Sequence, residues 1–166
     1  MAGRKGRAGA GGRAAELEVR WAETPADREA AFAVRRAVFV EEQGYTVPQE
    51  FDDLDARAMH AVASLAGDRP GVVGTARLIL DRDDFGTVAH IGRVSVLPPH
   101  RGRGVGSALV AFVVRNANVM GPYVMRAGAQ VAAIGFWERI GFERTGDAYM
   151  DFHVPHEWME LRLDGG

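Results

Sequence analysis

From Val94 to Ala108 the chain reads VSVLPPHRGRGVGSA, an apolar strand stopped by two prolines and followed by a glycine-rich turn that enters an amphipathic helix. Strand, turn and helix in that order suit an anion, because the helix begins where its first amide N–H groups have no partner. Gly102, Gly104 and Gly106 carry no side chain to hold a phosphate off the backbone, while Arg101 and Arg103 add mobile positive charge. A diphosphate is the expected guest.

Two other phosphate motifs fit these residues less well. A Walker A loop needs Lys-Ser or Lys-Thr after its last glycine, whereas Ser107 and Ala108 follow Gly106. A dinucleotide fingerprint belongs after the first strand, with an acidic residue about twenty positions later. This turn lies in the second half of the chain and lacks that spacing. For the glycine string alone, a connection that binds nothing is the remaining alternative.

At 166 residues the chain has the length of one domain able to bury most of its apolar surface. Zero cysteines exclude a disulfide scaffold, a zinc-thiolate site and a cysteine nucleophile together. The N-terminus is basic without an apolar core segment, and no stretch is long enough to cross a bilayer, so the cytoplasm is the expected location. A formal net charge of -2 supplies no general basic field, and no nucleic-acid partner is expected. Residues 1–15, with Arg4, Lys5, Arg7 and Arg13 among Gly and Ala, read as a flexible basic tail. It is either a solvated extension or an electrostatic tether to an acidic surface. Residues 16–166 read as a single domain.

Leu17, Val19 and Trp21 alternate with charged residues, the period of a half-buried strand. Thr24, Pro25 and Asp27 open a helix with Ala31, Val34 and Val38 on one face, expected to end near Gly44. Residues 45–55 read as a loop with a short helical turn. Three strands follow, at about 61–66, 72–80 and 87–96, joined by GDRPG and DRDDFG turns as an antiparallel meander. After the glycine loop come a helix to Asn118, a strand over 123–127, a helix over 130–139 stopped by Gly141, and strands over 143–149 and 157–163.

Arg101-Gly102-Arg103-Gly104-Val105-Gly106 resembles the Arg/Gln-x-x-Gly-x-Gly/Ala pyrophosphate loop of the GNAT-type N-acetyltransferases. A second block, Gln130 to Phe142 (QVAAIGFWERIGF), is similar to the family's late helix, with an Asn or Gln at its start and an aromatic pair before Gly-Phe. The likeness extends over residues 17–163. Within the superfamily, VFVEEQG (38–44), FDDLDARAMH (51–60), IGRVSV (91–96) and VPHEWME (154–160) resemble the ElaA-like branch.

The resemblance implies an α+β, GNAT-type three-layer fold. Its central sheet is mixed but mostly antiparallel, with helices on both faces, and it splays at the strand before the pyrophosphate loop. It implies that the backbone of Val94 and Val96 pairs with the pantetheine arm of acetyl-CoA. Arg101, Gly102, Arg103, Gly104, Val105, Gly106 and Ser107 would hold the pyrophosphate, and Gln130 would join the cofactor site. Many relatives place a proton-donating Tyr second in the aromatic pair, where this chain has Trp137, and an indole is too weak an acid for that task. Tyr149 is the first choice to protonate the departing thiolate, unless it is a packed strand residue.

Among the carboxylates Glu41, Glu42, Glu50, Asp52, Asp53 and Asp55, the branch resemblance singles out Glu42 as the base for the amine; a solvated acidic loop is the alternative. His156, in the branch-like Val-Pro-His, is a substrate-binding or relay candidate, or else structural. His60 and His90 are expected to pair within the sheet, and His100 to cap the loop or face water. Arg93, inside an apolar strand, either pairs with an acidic loop residue or grips a substrate carboxylate. No histidines show metal-ligand spacing with a carboxylate nearby, and no metal is expected. The resulting expectation is an acetyl-CoA-dependent N-acetyltransferase, monomer or homodimer, moving an acetyl group directly to the amine of a small molecule or peptide. The alternative is a catalytically weak acyl-CoA-binding or interaction module on the same fold.

Overall fold

Among the described residues the strands are β1 (Leu17–Trp21), where apolar and charged side chains alternate, β2 (Met59–Leu65) and β3 (Gly71–Asp83), which are buried in continuous runs, β4 (Gly86–Val96), β5 (Val124–Gln130), β6 (Glu143–Asp151) and β7 (Val154–Arg162). They form one sheet in the order β1-β2-β3-β4-β5-β7-β6, in which only β4 and β5 run parallel. The structure, a computed structural model, describes residues 16–66 and 71–164. The expected tail at 1–15 and most of the GDRPG turn lie outside that range.

Among the described residues four α-helices flank the sheet: α1 (Pro25–Arg35), α2 (Val47–Glu50), α3 (Val105–Asn118) and α4 (Ile134–Ile140). Thr24 and Asp27 cap α1 reciprocally, each side chain accepting from the other's amide at 3.1–3.2 Å, with Pro25 in the first turn. Beyond Arg35 the chain continues as a π-helix to Glu42, so the expected stop near Gly44 holds but the pitch differs from a plain α-helix. The wider turn buries both Val38 and Phe39, which sit against Tyr45 in a second, smaller core.

Neighbouring residues of β2 show why the sheet is covered on both sides. His60 meets Phe32 of α1, whereas Ala61 and Ala63 face the main core with Val105, Leu109 and Val113 of α3 and Trp137 of α4. Alternation along a strand sends these side chains to opposite faces, which makes the three-layer α+β arrangement. At Gly74 an added Cβ would lie 3.0 Å from Leu109 and 3.2 Å from the Ser95 carbonyl, so only glycine lets α3 come this close to β3.

Several strands are longer than sequence alone indicates, because side chains and partners extend them. The Asp83 carboxylate accepts the amides of Phe85 and Gly86 at 2.9 and 3.2 Å and closes the β3–β4 hairpin, carrying β3 past Leu80. Pairing of Gly128, Ala129 and Gln130 with β7 extends β5 past Ala127 and delays the next helix until Ile134, after a single 3₁₀ turn. His60 pairs with Arg77 and His90 with Ile79, so both lie in the sheet without pairing with each other.

An irregularity in β4 sets the geometry of everything beyond it. Thr75 pairs with Ser95 and Arg77 with Gly92, so Ala76 alone opposes Arg93 and Val94 in a β-bulge. Arg93 takes φ +52, a left-handed conformation that costs a residue with a side chain about 1–2 kcal/mol. Its guanidinium is held by the Glu50 carbonyl at 3.1 Å, the Glu50 carboxylate at 3.0 Å and Asp52 at 3.3 Å. Glu50 is held in turn by Arg35, which is fully buried and also bonds both Asp55 oxygens at 2.7 and 3.1 Å. Arg77 completes the cluster on Asp52 at 2.6 Å and Asp55 at 3.0 Å. Arginine is therefore matched to carboxylate throughout, as burial demands.

Two consequences can be measured. Leu109→Ala, at a position with 0% exposure, should cost about 2–5 kcal/mol in urea unfolding, whereas Val119→Ala at 75% exposure should shift stability by less than about 0.5 kcal/mol. Burial raises the Asp55 carboxyl, but Arg35 and Arg77 overcome it and bring the group down to about 2. A depressed carboxylate adds stability that is complete above its unfolded value of about 3.9 and disappears as pH falls toward the folded one. Asp55→Asn should therefore lower stability at neutral pH and flatten the acid limb of a denaturation curve between about pH 4 and pH 2; an unchanged limb would contradict the assignment.

Candidate active site

β4 and β5 pair only from Val88↔Val124 to Ile91↔Ala127. Past that point β4 stays with β3 as far as Val96 and β5 stays with β7 as far as Gln130, so a gap opens between them. The Leu97 amide donates to the Val73 carbonyl at 2.8 Å, toward β3, and alternation then turns the main-chain groups of Val96 and Val94 into the gap. Main-chain groups that face a gap in this way must be satisfied by a side chain, water or a ligand instead of a neighbouring strand.

The gap leads to the glycine turn. Gly102 and Gly104 adopt φ +71 and +81, conformations that favour glycine, and nothing lies within 4 Å of where their Cβ atoms would stand. Gly104 caps α3, and the amides of residues 102–107 find no acceptor among the described residues. Gly106 has Phe136 3.3 Å from its would-be Cβ, so a side chain here would press on that ring. Val105, which the motif places in the cofactor loop, buries its side chain in the core and offers only its backbone. Arg103 and Ser107 are exposed beside it.

Arg101 has partners of its own. Its Nε donates to the gap-facing Val96 carbonyl at 2.9 Å, and its two terminal nitrogens bind both oxygens of Glu42 at 2.7 and 2.6 Å. The guanidinium lowers the Glu42 carboxyl below its ordinary range. A carboxylate so paired is a weaker proton acceptor, and in this structure Glu42, expected as the base, is engaged with Arg101 at the mouth of the gap. Gln130 closes the other side, its amide donating to the Gln43 side chain at 2.7 Å.

A cavity of about 410 Å³ opens on the α1 face of the sheet, lined at the gap by Val94, Gly128, Phe136, Trp137 and Tyr149. Trp137 is 6% exposed and packs edge-on against Phe136 and Phe142, which identifies it as core. Tyr149 stacks on His156 and Trp158 at 5.4 and 5.0 Å and crosses over β7. Its hydroxyl comes to rest where a Cβ at residue 128 would be, so Gly128 makes room for it. Burial, reinforced by Asp151 and opposed by Arg93, raises its pKa and keeps the proton on the oxygen at neutral pH.

The two substrate-binding candidates both line this cavity and both have partners in the protein. Arg93 takes the first of its two readings, pairing with Glu50 and Asp52. His156 is 6% exposed, with Nδ1 3.0 Å from the Val154 carbonyl and Nε2 3.9 Å from Asp151. Pattern reading missed Arg35, although a charged residue on the apolar stripe of α1 is the kind of signal that calls for a buried partner. It also missed Asp151, which no motif marks.

Residues 18–142 match the Acetyltransferase (GNAT) family. A candidate acetyltransferase of Bacillus subtilis is 31% identical over 138 residues, covering 83% of this chain and 91% of that protein. The crystal structure of Escherichia coli ElaA superposes with a TM-score of 0.73 at 25% identity, over 89% of this chain and 99% of ElaA. YncA of Salmonella typhimurium, solved with acetyl-CoA, has the same fold at a TM-score of 0.67 and 23% identity, over 90% and 95% of the two chains. Splayed sheet, open glycine turn and sequence agree: this chain belongs to the GNAT acetyltransferase family.

Proposed function

We propose that the protein is an acetyl-CoA-dependent N-acetyltransferase that moves the acetyl group directly to an amine. The observation that carries this reading is the run of unpartnered amides from 102 to 107, continuous with the open backbone edge of Val94 and Val96. The pyrophosphate of the cosubstrate would lie on those amides at the N-terminus of α3. Its pantetheine arm would fill the gap as an added strand. The acetyl-CoA in the YncA structure supports the choice of donor.

Amide formation needs the amine held against the thioester carbonyl, a hydrogen bond to the developing oxyanion, and a proton for the thiolate. A gap-facing amide of β4 supplies the hydrogen bond, and the amine enters from the 410 Å³ cavity. Tyr149, whose raised pKa keeps it protonated, supplies the proton. A phenol already directed at the gap makes the missing acid at Trp137 unimportant, and this favours the enzyme over a module that only binds acyl-CoA.

Two substitutions separate the parts of this proposal. Aspartate tolerates left-handed backbone better than most residues and the space at Gly104 is open, so Gly104→Asp should fold yet bind acetyl-CoA at least about tenfold more weakly by calorimetry. Undiminished affinity would reject the loop assignment. Tyr149→Phe should slow thiol release about a hundredfold below the acidity of the CoA thiol and less above it. An unaltered pH–rate profile would remove Tyr149 from the chemistry.

A further inference from the structure

Four arginines line the cavity, and each already has a carboxylate: Arg57 with Asp81 at 3.6 Å, Arg77 with Asp52 at 2.6 Å, Arg93 with Glu50 at 3.0 Å and Arg126 with Glu160 at 2.8 Å. An acceptor that brought its own carboxylate would have to displace one of these partners. Asp151 is the opposite case. It lines the same cavity, its side chain is 36% exposed, and among the described residues it has no arginine or lysine partner. Its neighbours are the Tyr45 hydroxyl at 3.3 Å and His156 Nε2 at 3.9 Å. His156 Nδ1 is engaged by the Val154 carbonyl at 3.0 Å, which leaves Nε2 as the ring atom that faces Asp151.

Asp151 lies two residues beyond Tyr149 on β6, so both side chains project from the same face of the strand. Beside them the stacked rings of Tyr149 and Trp158, the latter 39% exposed, offer an aromatic surface of the kind that attracts cations. A carboxylate without an arginine partner among the described residues, an aromatic surface and four arginines already paired together select for positive charge and against negative charge.

We infer that the acceptor is a primary ammonium with no carboxylate beside it, and that Asp151 docks this group and takes its first proton. The inference rests on the transfer reading above and narrows the acceptor it leaves open. One proton passes from the ammonium to Asp151 and on to water, and the nitrogen lone pair forms the C–N bond. The C–S bond then breaks, Tyr149 protonates the sulfur, and the second proton shed by nitrogen restores the phenol. The sum is ammonium plus thioester giving amide, thiol and one released proton.

The test is calorimetric binding of 1,4-diaminobutane and of glycine to the CoA complex of the full chain, in the parent protein and in Asp151→Asn and Asp151→Glu. The diamine should bind and glycine should not compete with it. Asp151→Asn, which retains an oxygen for the Tyr45 hydroxyl, should weaken the diamine about tenfold or more while CoA affinity holds, and Asp151→Glu should recover part of the loss. Equal diamine affinity in the parent and Asp151→Asn, stronger binding of glycine than of the diamine, or no diamine binding at all would each overturn the inference. Should Asp151→Asn fail to fold, the diamine-against-glycine comparison in the parent still decides. Thiol release from acetyl-CoA is followed separately: Asp151-dependent diamine binding without thiol release would reject transfer and keep the docking assignment.

Discussion

The parting of β4 from β5 after Ile91 and Ala127 is the constraint that organises this molecule. Two strands that diverge leave main-chain donors and acceptors without the partners a sheet normally gives them, and such groups are costly unless water or a ligand satisfies them. Here the divergence begins one residue before the Arg93 bulge and ends at the turn where α3 starts. A single groove results, with backbone polar groups along one wall and open amides at its end.

The charge cluster beneath α1 holds that groove in shape. Arg35, Arg77 and Arg93 against Glu50, Asp52 and Asp55 is an expensive way to fill a protein interior, since desolvation cancels much of the attraction between buried ions. What the cluster offers in return is direction. The planar guanidinium of Arg93 reaches the α2 carbonyl and two carboxylates at once, and so fixes a left-handed residue at the point where the strands separate. Arg101 and Glu42 repeat the device at the mouth of the groove, where the pair is more exposed and weaker.

Much of this was legible in the sequence because it depends on local chemistry. The order of strand, glycine turn and helix follows from Val94 to Ala108, and the ends of α1 and α4 follow from Thr24, Asp27 and Gly141, whose preferences act within one turn of chain. The mostly antiparallel meander follows from apolar alternation and short turns. What escaped was decided at long range. Glu42 lies 59 residues from Arg101, and nothing in its neighbours indicates that it is neutralised. Tyr149 reaches Gly128 only because β7 inserts between β5 and β6, an order that periodicity does not encode. The π-helical turns after Arg35 share their residues with an ordinary helix and differ only in what Val38 and Phe39 must meet.

The measurement that bears most directly on the account is a titration of 15N-labelled protein with coenzyme A, followed by amide resonances. If the open backbone is the cosubstrate site, the largest shifts will fall on Gly102, Gly104 and Gly106 in the turn and on Val94 and Val96 along the gap, with Val19 and Val62 in the far strands unmoved. Shifts clustered elsewhere, or none at millimolar ligand, would contradict it.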